Sequence, residues 1–321
     1  MRFIISAFLM VLASYAFSED KTLLPKLKKG SGSYTFKPGL EDYKASIDIF
    51  YYVPKGFSED TSVIIVVPGA GRNADDYRDS WIKNAEKYNL LVLSPSYPQK
   101  YFDFAAYHLG GMVNQLELKN PKVETIDGRI SKYRMNDEDI TFSFVNDNSR
   151  WIFEDFDRIF SSVKPIIGAK QTTYDLFGHS AGGQILHRYA IFKKNSKANR
   201  IVAANSGFYT LPDATTQYPF GTLGASVSEL DINESFSNHL IILLGESDNV
   251  NEKRGTMLHT PASDRQGLGR YERGTYFYRN SEKLAQSAKA VFNWEIKTVA
   301  NVGHDYRKMG DAAAELLYGE K

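Results

Sequence analysis

The sequence predicts an α/β fold: a mostly parallel β-sheet with helices on both faces and active-site insertions. Three observations carry this. Short runs that are apolar throughout, such as VIIVV at 63–67, suit central parallel strands covered on both sides. Segments whose apolar residues recur at helical spacing lie between those runs. The stretch LFGHSAGGQ at 176–184 sets three glycines around one serine directly after an apolar run, the mark of a sharp strand-to-helix turn. Strand and helix alternating along a chain imply parallel pairing.

Taken in order, the chain opens with MRFIISAFLMVLASYAFSED: one positive residue, an apolar run over 3–12, then small residues before a polar stretch. That is the pattern of a secretory signal, with cleavage expected after Ala16 or Ser18 and no stable membrane anchor afterwards. The expected domains are a signal peptide at 1–18 and a single domain at 19–321. Residues 45–53 alternate and read as a half-buried strand. Residues 63–67 are a buried strand ended by Pro68-Gly69-Ala70-Gly71, and 74–88 have helical character. Another buried strand is expected at 90–93. Residues 151–167 place Ile152, Phe156, Ile159, Phe160 and Val163 on one helical face. A strand at 174–177 enters the serine turn, and 181–192 forms the helix after it. Later strands are expected at 201–204, 239–244 and 294–299, with helices at 279–291 and 307–317. Residues 97–149 and 206–237 are rich in Asn, Asp, Gly and Pro and break the rhythm, so they read as insertions at strand ends, where ligand sites of open sheets lie.

Composition narrows the class. A hydrophobic fraction of 42% and an aromatic fraction of 13% over 321 residues can fill a substantial core. The net charge is +1, and no block of like charge suggests a nucleic-acid partner. With no cysteine, disulfides and a thiolate nucleophile are excluded. Export without disulfides points to a secreted or periplasmic protein.

The serine turn needs partners, because a free hydroxyl is a poor nucleophile. Ser180 has the nucleophile spacing Gly178-x-Ser180-x-Gly182. IILLGESDNV places Asp248 just past a buried strand, and KTVANVGHDY places His304 past the next. Nucleophile, acid and base thus follow in the order of α/β-hydrolases, each at a strand's C-terminal end. Glu246 and Asp305 are the rivals, with Glu246 the second choice as orienter. A developing oxyanion needs two donors: the backbone N–H of Ala181, at a helix N-terminus, and that of Ala70 in the PGAGRN bend. Balancing the Asp248 charge against burial puts the His304 base near its ordinary value of about 6.5. His179 and His187 read as packing residues, and His108, His239 and His259 form no ligand spacing. No HExxH, EF-hand or nucleotide-binding pattern occurs, so neither metal nor other cofactor is expected. The acidic runs at 136–139 and 146–148 read as solvated loops.

The stretches VVPGAGRNADDY, GHSAGGQILHRYA, AANSGFYTLPD, LLGESD, RQGLGRYERG and NVGHDYRKMGDAA resemble secreted bacterial α/β-hydrolases of the poly(3-hydroxybutyrate) depolymerase-like or feruloyl-esterase-like group. The resemblance implies Ser180 as nucleophile, Asp248 as acid and His304 as base, with Ala70 and Ala181 serving the oxyanion. Tyr209 in the third stretch is a candidate substrate contact. Many relatives have His-Gly where this chain has Pro68-Gly69, which removes a side chain that often braces the oxyanion loop. The expected activity is a serine carboxylic ester hydrolase working through an acyl-enzyme on a small-molecule or polymeric ester. A peptidase or amidase on the same fold and a catalytically silent binding protein are the alternatives.

Overall fold

The computed structural model describes residues 26–38, 45–225 and 227–319. The expected signal peptide lies outside the described residues.

The first half of the sheet comes from β1 (Gly30–Phe36), β2 (Ile47–Val53), β3 (Ser62–Val67) and β4 (Leu90–Ser96), with α1 (Ala74–Ser80) and α2 (Ile82–Tyr88) between β3 and β4. The expected single helix over 74–88 is two, broken at Trp81, whose ring is wholly buried 5.2 Å from that of Phe177. Residues 97–149, expected as an insertion without clear periodicity, hold α3 (Phe104–His108) and the short strands β5 (Val113–Leu118), β6 (Lys122–Ile126), β7 (Arg129–Arg134) and β8 (Ile140–Phe144). Every residue of β6 is exposed, so no alternation of burial marked it in the sequence.

After α4 (Phe153–Ile167), the second half runs through β9 (Tyr174–His179), α5 (Ala181–Phe192), β10 (Ala198–Ala204), α6 (Glu229–Ser235) and β11 (Leu240–Gly245). It continues through β12 (Met257–His259), α7 (Pro261–Gln266), α8 (Arg270–Ser287), β13 (Glu295–Val299) and α9 (Tyr306–Tyr318). α8 begins nine residues before the expected helix, because its first turns bury Arg270, Arg273 and Gly274 where an apolar stripe would be sought.

The central sheet has eight strands in the order β1-β2-β4-β3-β9-β10-β11-β13. β1 and β2 pair antiparallel with each other, as do β2 and β4, and the remaining neighbours are parallel. The all-apolar run of β3 is explained by its two faces. Val63, Ile65 and Val67 join the core beneath α4, α5 and α8, while Ile64 and Val66 join the core beneath α1, α2 and α9. β7 pairs parallel with β12, which stitches the inserted segment to the chain beyond β11. Asp137 adds a second stitch, its carboxylate accepting the Ala262 N–H at 3.1 Å at the start of α7. The acidic run at 136–139 is thus partly structural rather than a wholly solvated loop.

Candidate active site

β9 delivers the chain into its turn through Gly178 and His179. Ser180 then adopts φ 58°, ψ −115°, and α5 begins at Ala181. Such a positive φ on a serine is strain that the surroundings must hold. The Ser180 N–H donates to the Ala204 carbonyl at 2.9 Å, tying the turn to β10. The glycines are there for space: a Cβ on Gly178 would stand 2.5 Å from the Gly182 carbonyl carbon, and one on Gly182 would overlap the Val67 carbonyl.

Asp248 follows β11 and His304 follows β13, 56 residues apart in sequence, and the fold joins them: His304 Nδ1 lies 2.7 Å from Asp248 Oδ2. With Nδ1–H donating to the carboxylate, the Nε2 lone pair is free to take a proton. The His304 ring packs on that of His179, the residue before Ser180, with centroids 4.4 Å apart. A Cβ on Gly255 would lie 3.1 Å from His304 Nε2, and Gly255 and Ser180 line the same cavity. That cavity has a volume of about 500 Å³, within the range of small-molecule sites. Its wall is apolar, built from Phe104, Leu116, Leu118, Ile140, Phe208 and Leu258, and Ala70 also lines it. A roomier cleft of about 740 Å³ near Lys193, Lys194 and Asp231 includes none of Ser180, Asp248 and His304.

Two solved structures match this fold over nearly the whole chain. Poly(aspartic acid) hydrolase-1 from Sphingomonas sp. KT-1 is 31% identical with a TM-score of 0.77, covering 91% of this chain and 100% of that one. LpqC, a poly(3-hydroxybutyrate) depolymerase from Bordetella parapertussis, is 25% identical with a TM-score of 0.74, covering 91% of each. The chain belongs to the poly(3-hydroxybutyrate) depolymerase-like α/β-hydrolases. Neither a family model nor a curated protein matches the sequence.

In this α/β-hydrolase the loop after β3 is braced despite its proline. The Tyr107 hydroxyl donates to the Pro68 carbonyl at 2.7 Å. Arg72 donates to the Tyr97 and Phe102 carbonyls at 2.9 and 3.1 Å and lies 3.6 Å over the Tyr107 ring. Both bracing aromatic contacts come from the residues around α3. Ala181 is buried as the first residue of α5, directly beyond the serine.

Tyr209 does not touch the cavity and is corrected as a substrate contact. It is fully buried, stacked 4.7 Å from Phe277, and its backbone is clamped on both sides by the Gln266 side chain. Its neighbours Gly207 and Phe208 reach the wall instead. Glu246 points elsewhere, accepting the Thr298 hydroxyl at 2.8 Å, and Asp305 caps α9 through the N–H groups of Arg307 and Lys308. His187 packs as expected, its Nε2 accepting the Thr210 N–H at 3.0 Å. Among the described residues, no group of three or more His, Asp or Glu is placed to hold a metal ion. Nor is any described helix long and apolar enough to cross a membrane.

Three residues escaped the sequence. Arg270 donates to Asp248 Oδ1 at 3.0 Å, and both side chains are buried. Glu252 accepts the His304 N–H at 2.7 Å. Burial works upward on its carboxyl, but hydrogen bonds from Arg254 and from the His304 backbone outweigh it and pull it down to about 2. Asn205 bridges the loops that carry Asp248 and His304, accepting the Gly245 N–H at 2.8 Å and donating to the Gly303 carbonyl at 3.2 Å. Burial raises the Asp248 carboxyl, against the pull of Arg270. Burial, and then the charge of Arg270, push His304 well below the ordinary imidazole value rather than leaving it near 6.5.

Proposed function

We propose that this protein is a serine hydrolase that cleaves carboxylic esters bearing an apolar group, through an acyl-enzyme on Ser180. The observation that carries the reading is a strained serine at a strand-to-helix turn, opening on an apolar cavity beside a buried His304–Asp248 pair. Ser180 Oγ attacks the ester carbonyl carbon while His304 Nε2 takes its proton, and Asp248 holds the imidazole through Nδ1–H. The tetrahedral oxygen receives the N–H groups of Ala181 and Ala70. Collapse returns the proton from Nε2 to the departing alkoxide, giving the alcohol. Water, deprotonated by the same nitrogen, then releases the acid. An N-terminal signal would place this activity in the periplasm or outside the cell.

Amide cleavage is the second reading, favoured by the 31% identical poly(aspartic acid) hydrolase. The cavity opposes an anionic polymer there: among the described residues its wall carries no lysine or arginine, and burial pushes its histidine, His108, down to about 3, leaving it neutral. Reaction with a fluorophosphonate, followed by mapping of the labelled residue, tests the nucleophile. Nitrophenyl esters of rising acyl length, set beside the matching anilides, separate the two readings. Labelling elsewhere than Ser180, or none, removes the proposal.

A further inference from the structure

The Asp248 carboxylate has two partners, and only one is the imidazole. Oδ2 faces His304 Nδ1 at 2.7 Å, and Oδ1 takes Arg270 Nη1 at 3.0 Å. The Arg270 guanidinium is itself buried, and two longer contacts of 3.4 Å reach the carbonyls of Arg254 and Thr256. Those residues flank Gly255, whose φ of +71° and missing side chain let the loop pass between Arg270 and the His304 ring. A single guanidinium therefore holds the acid and the loop that covers the base.

Resting on the ester-hydrolase reading above, we propose that Arg270 is a positioning residue of the acyl-transfer site. It locks the Asp248 carboxylate toward His304 and, by cancelling much of its charge, keeps His304 an unprotonated base in mildly acidic medium. An acid that faces only an imidazole offers a full negative charge to the imidazolium, which favours protonation. Here the Asp248–Arg270 pair is already neutral, so a proton on His304 leaves a net positive charge in a buried site.

The other groups facing the ring do not reverse this. Glu252 approaches from the loop after β11, but its carboxylate is paired with Arg254 at 2.7 Å. Asp305 lies 3.7 Å from the same Arg254. From β9 comes His179, which burial keeps neutral, with the Tyr77 hydroxyl of α1 behind it. Arg270 from α8 is the buried permanent charge in the set.

The experiment compares the acid limb of kcat/KM on an uncharged nitrophenyl ester for the wild type, Arg270→Gln and Arg270→Lys. The wild-type midpoint is expected below about 6.5, the ordinary histidine value. Arg270→Lys keeps the charge, so its limb should stay within half a unit even if its plateau falls. Arg270→Gln should move the limb up by about one to two pH units, as loss of a nearby charge in a poorly screened site implies. An Arg270→Gln limb at the wild-type position, with only a lower plateau, would mean a purely structural arginine and overturn the proposal. Should that variant not fold, NMR titration of the His304 ring in the wild type and in Arg270→Met, which keeps the buried stem and removes the charge, decides: a midpoint raised by the substitution supports the proposal and an unmoved one overturns it. Failure of the wild type to label at Ser180 sinks the ester-hydrolase reading alone, because the ring titration still measures the effect of Arg270.

Discussion

The Tyr77 hydroxyl meets His179 Nδ1 at 3.2 Å, while the Tyr77 ring stacks on Tyr306 at 4.3 Å, so one residue of α1 braces the serine turn and packs on the helix that follows His304. Tyr77→Phe keeps the stacking and removes the bond. Its expected cost is about 1 kcal/mol of stability, read as a drop of roughly 2 °C in Tm. Ser180 should still label in that variant. No change in Tm would mean that water replaces the hydroxyl without loss.

Ser180→Ala should lower ester turnover by several orders of magnitude, since only binding and the oxyanion donors remain. The Tm should hold or rise slightly, because alanine bears the same φ of 58° with fewer atoms to place. An alanine variant with near-normal turnover contradicts the mechanism.

Asp248→Asn should cut turnover on the order of 10⁴-fold by favouring the wrong imidazole tautomer. It should also destabilise the fold by about 3–5 kcal/mol, because Arg270 is left buried beside a neutral amide. Glu246→Gln, on a residue that meets only Thr298 among these groups, should do neither. Steady-state rates and urea melts of both variants check the assignment, and a crippled Glu246→Gln reverses it.

Apolar periodicity is a local signal, so β3, α4 and α5 could be placed from it, as could the glycine spacing around Ser180. Arg270 could not. A charged residue at the start of a helix reads as solvated, and its reason for burial stands 22 positions away at Asp248. The same holds for Glu252, whose partner is the His304 backbone 52 positions on. β1 was missed because GSGSYTF has the composition of a turn and forms a strand only by pairing with β2.

Stability should fall on mild acidification. Burial, then the charge of Arg72, push His108 down to about 3, with the Gln184 bond opposing. In the unfolded chain it titrates near 6.5. Below that value the unfolded chain binds a proton that the folded one refuses, so the contribution is complete above about pH 6.5 and is lost as pH drops toward 3. His179 and His187 are lowered by burial and act in the same sense. Melts from about pH 8 to about pH 4.5 should show Tm declining below about 6.5, less steeply in His108→Gln. An unchanged slope in that variant would mean that native His108 already carries its proton.

Leu258 of β12 stands on the cavity wall with Leu116 and Ile140. Leu258→Trp fills part of the roughly 500 Å³ space and should shift preference toward short acyl groups. Each methylene excluded is worth about 1–3 kcal/mol of discrimination, so the ratio of long-chain to short-chain kcat/KM should drop at least tenfold. An unchanged ratio would place the acyl group elsewhere.

The β7–β12 ladder has a consequence for when the protein comes alive. On a chain made from its N-terminus, the serine turn and the strands beside it can form early. The cavity wall closes only when residues 257–259 arrive to pair with 132–134. His304, the proposed base, arrives later still, 46 residues beyond Leu258 in the loop that follows β13. On the proposed mechanism, a growing or partly emerged chain therefore carries an inert hydroxyl, and any agent that reacts with the mature site can serve as a clock for completed synthesis.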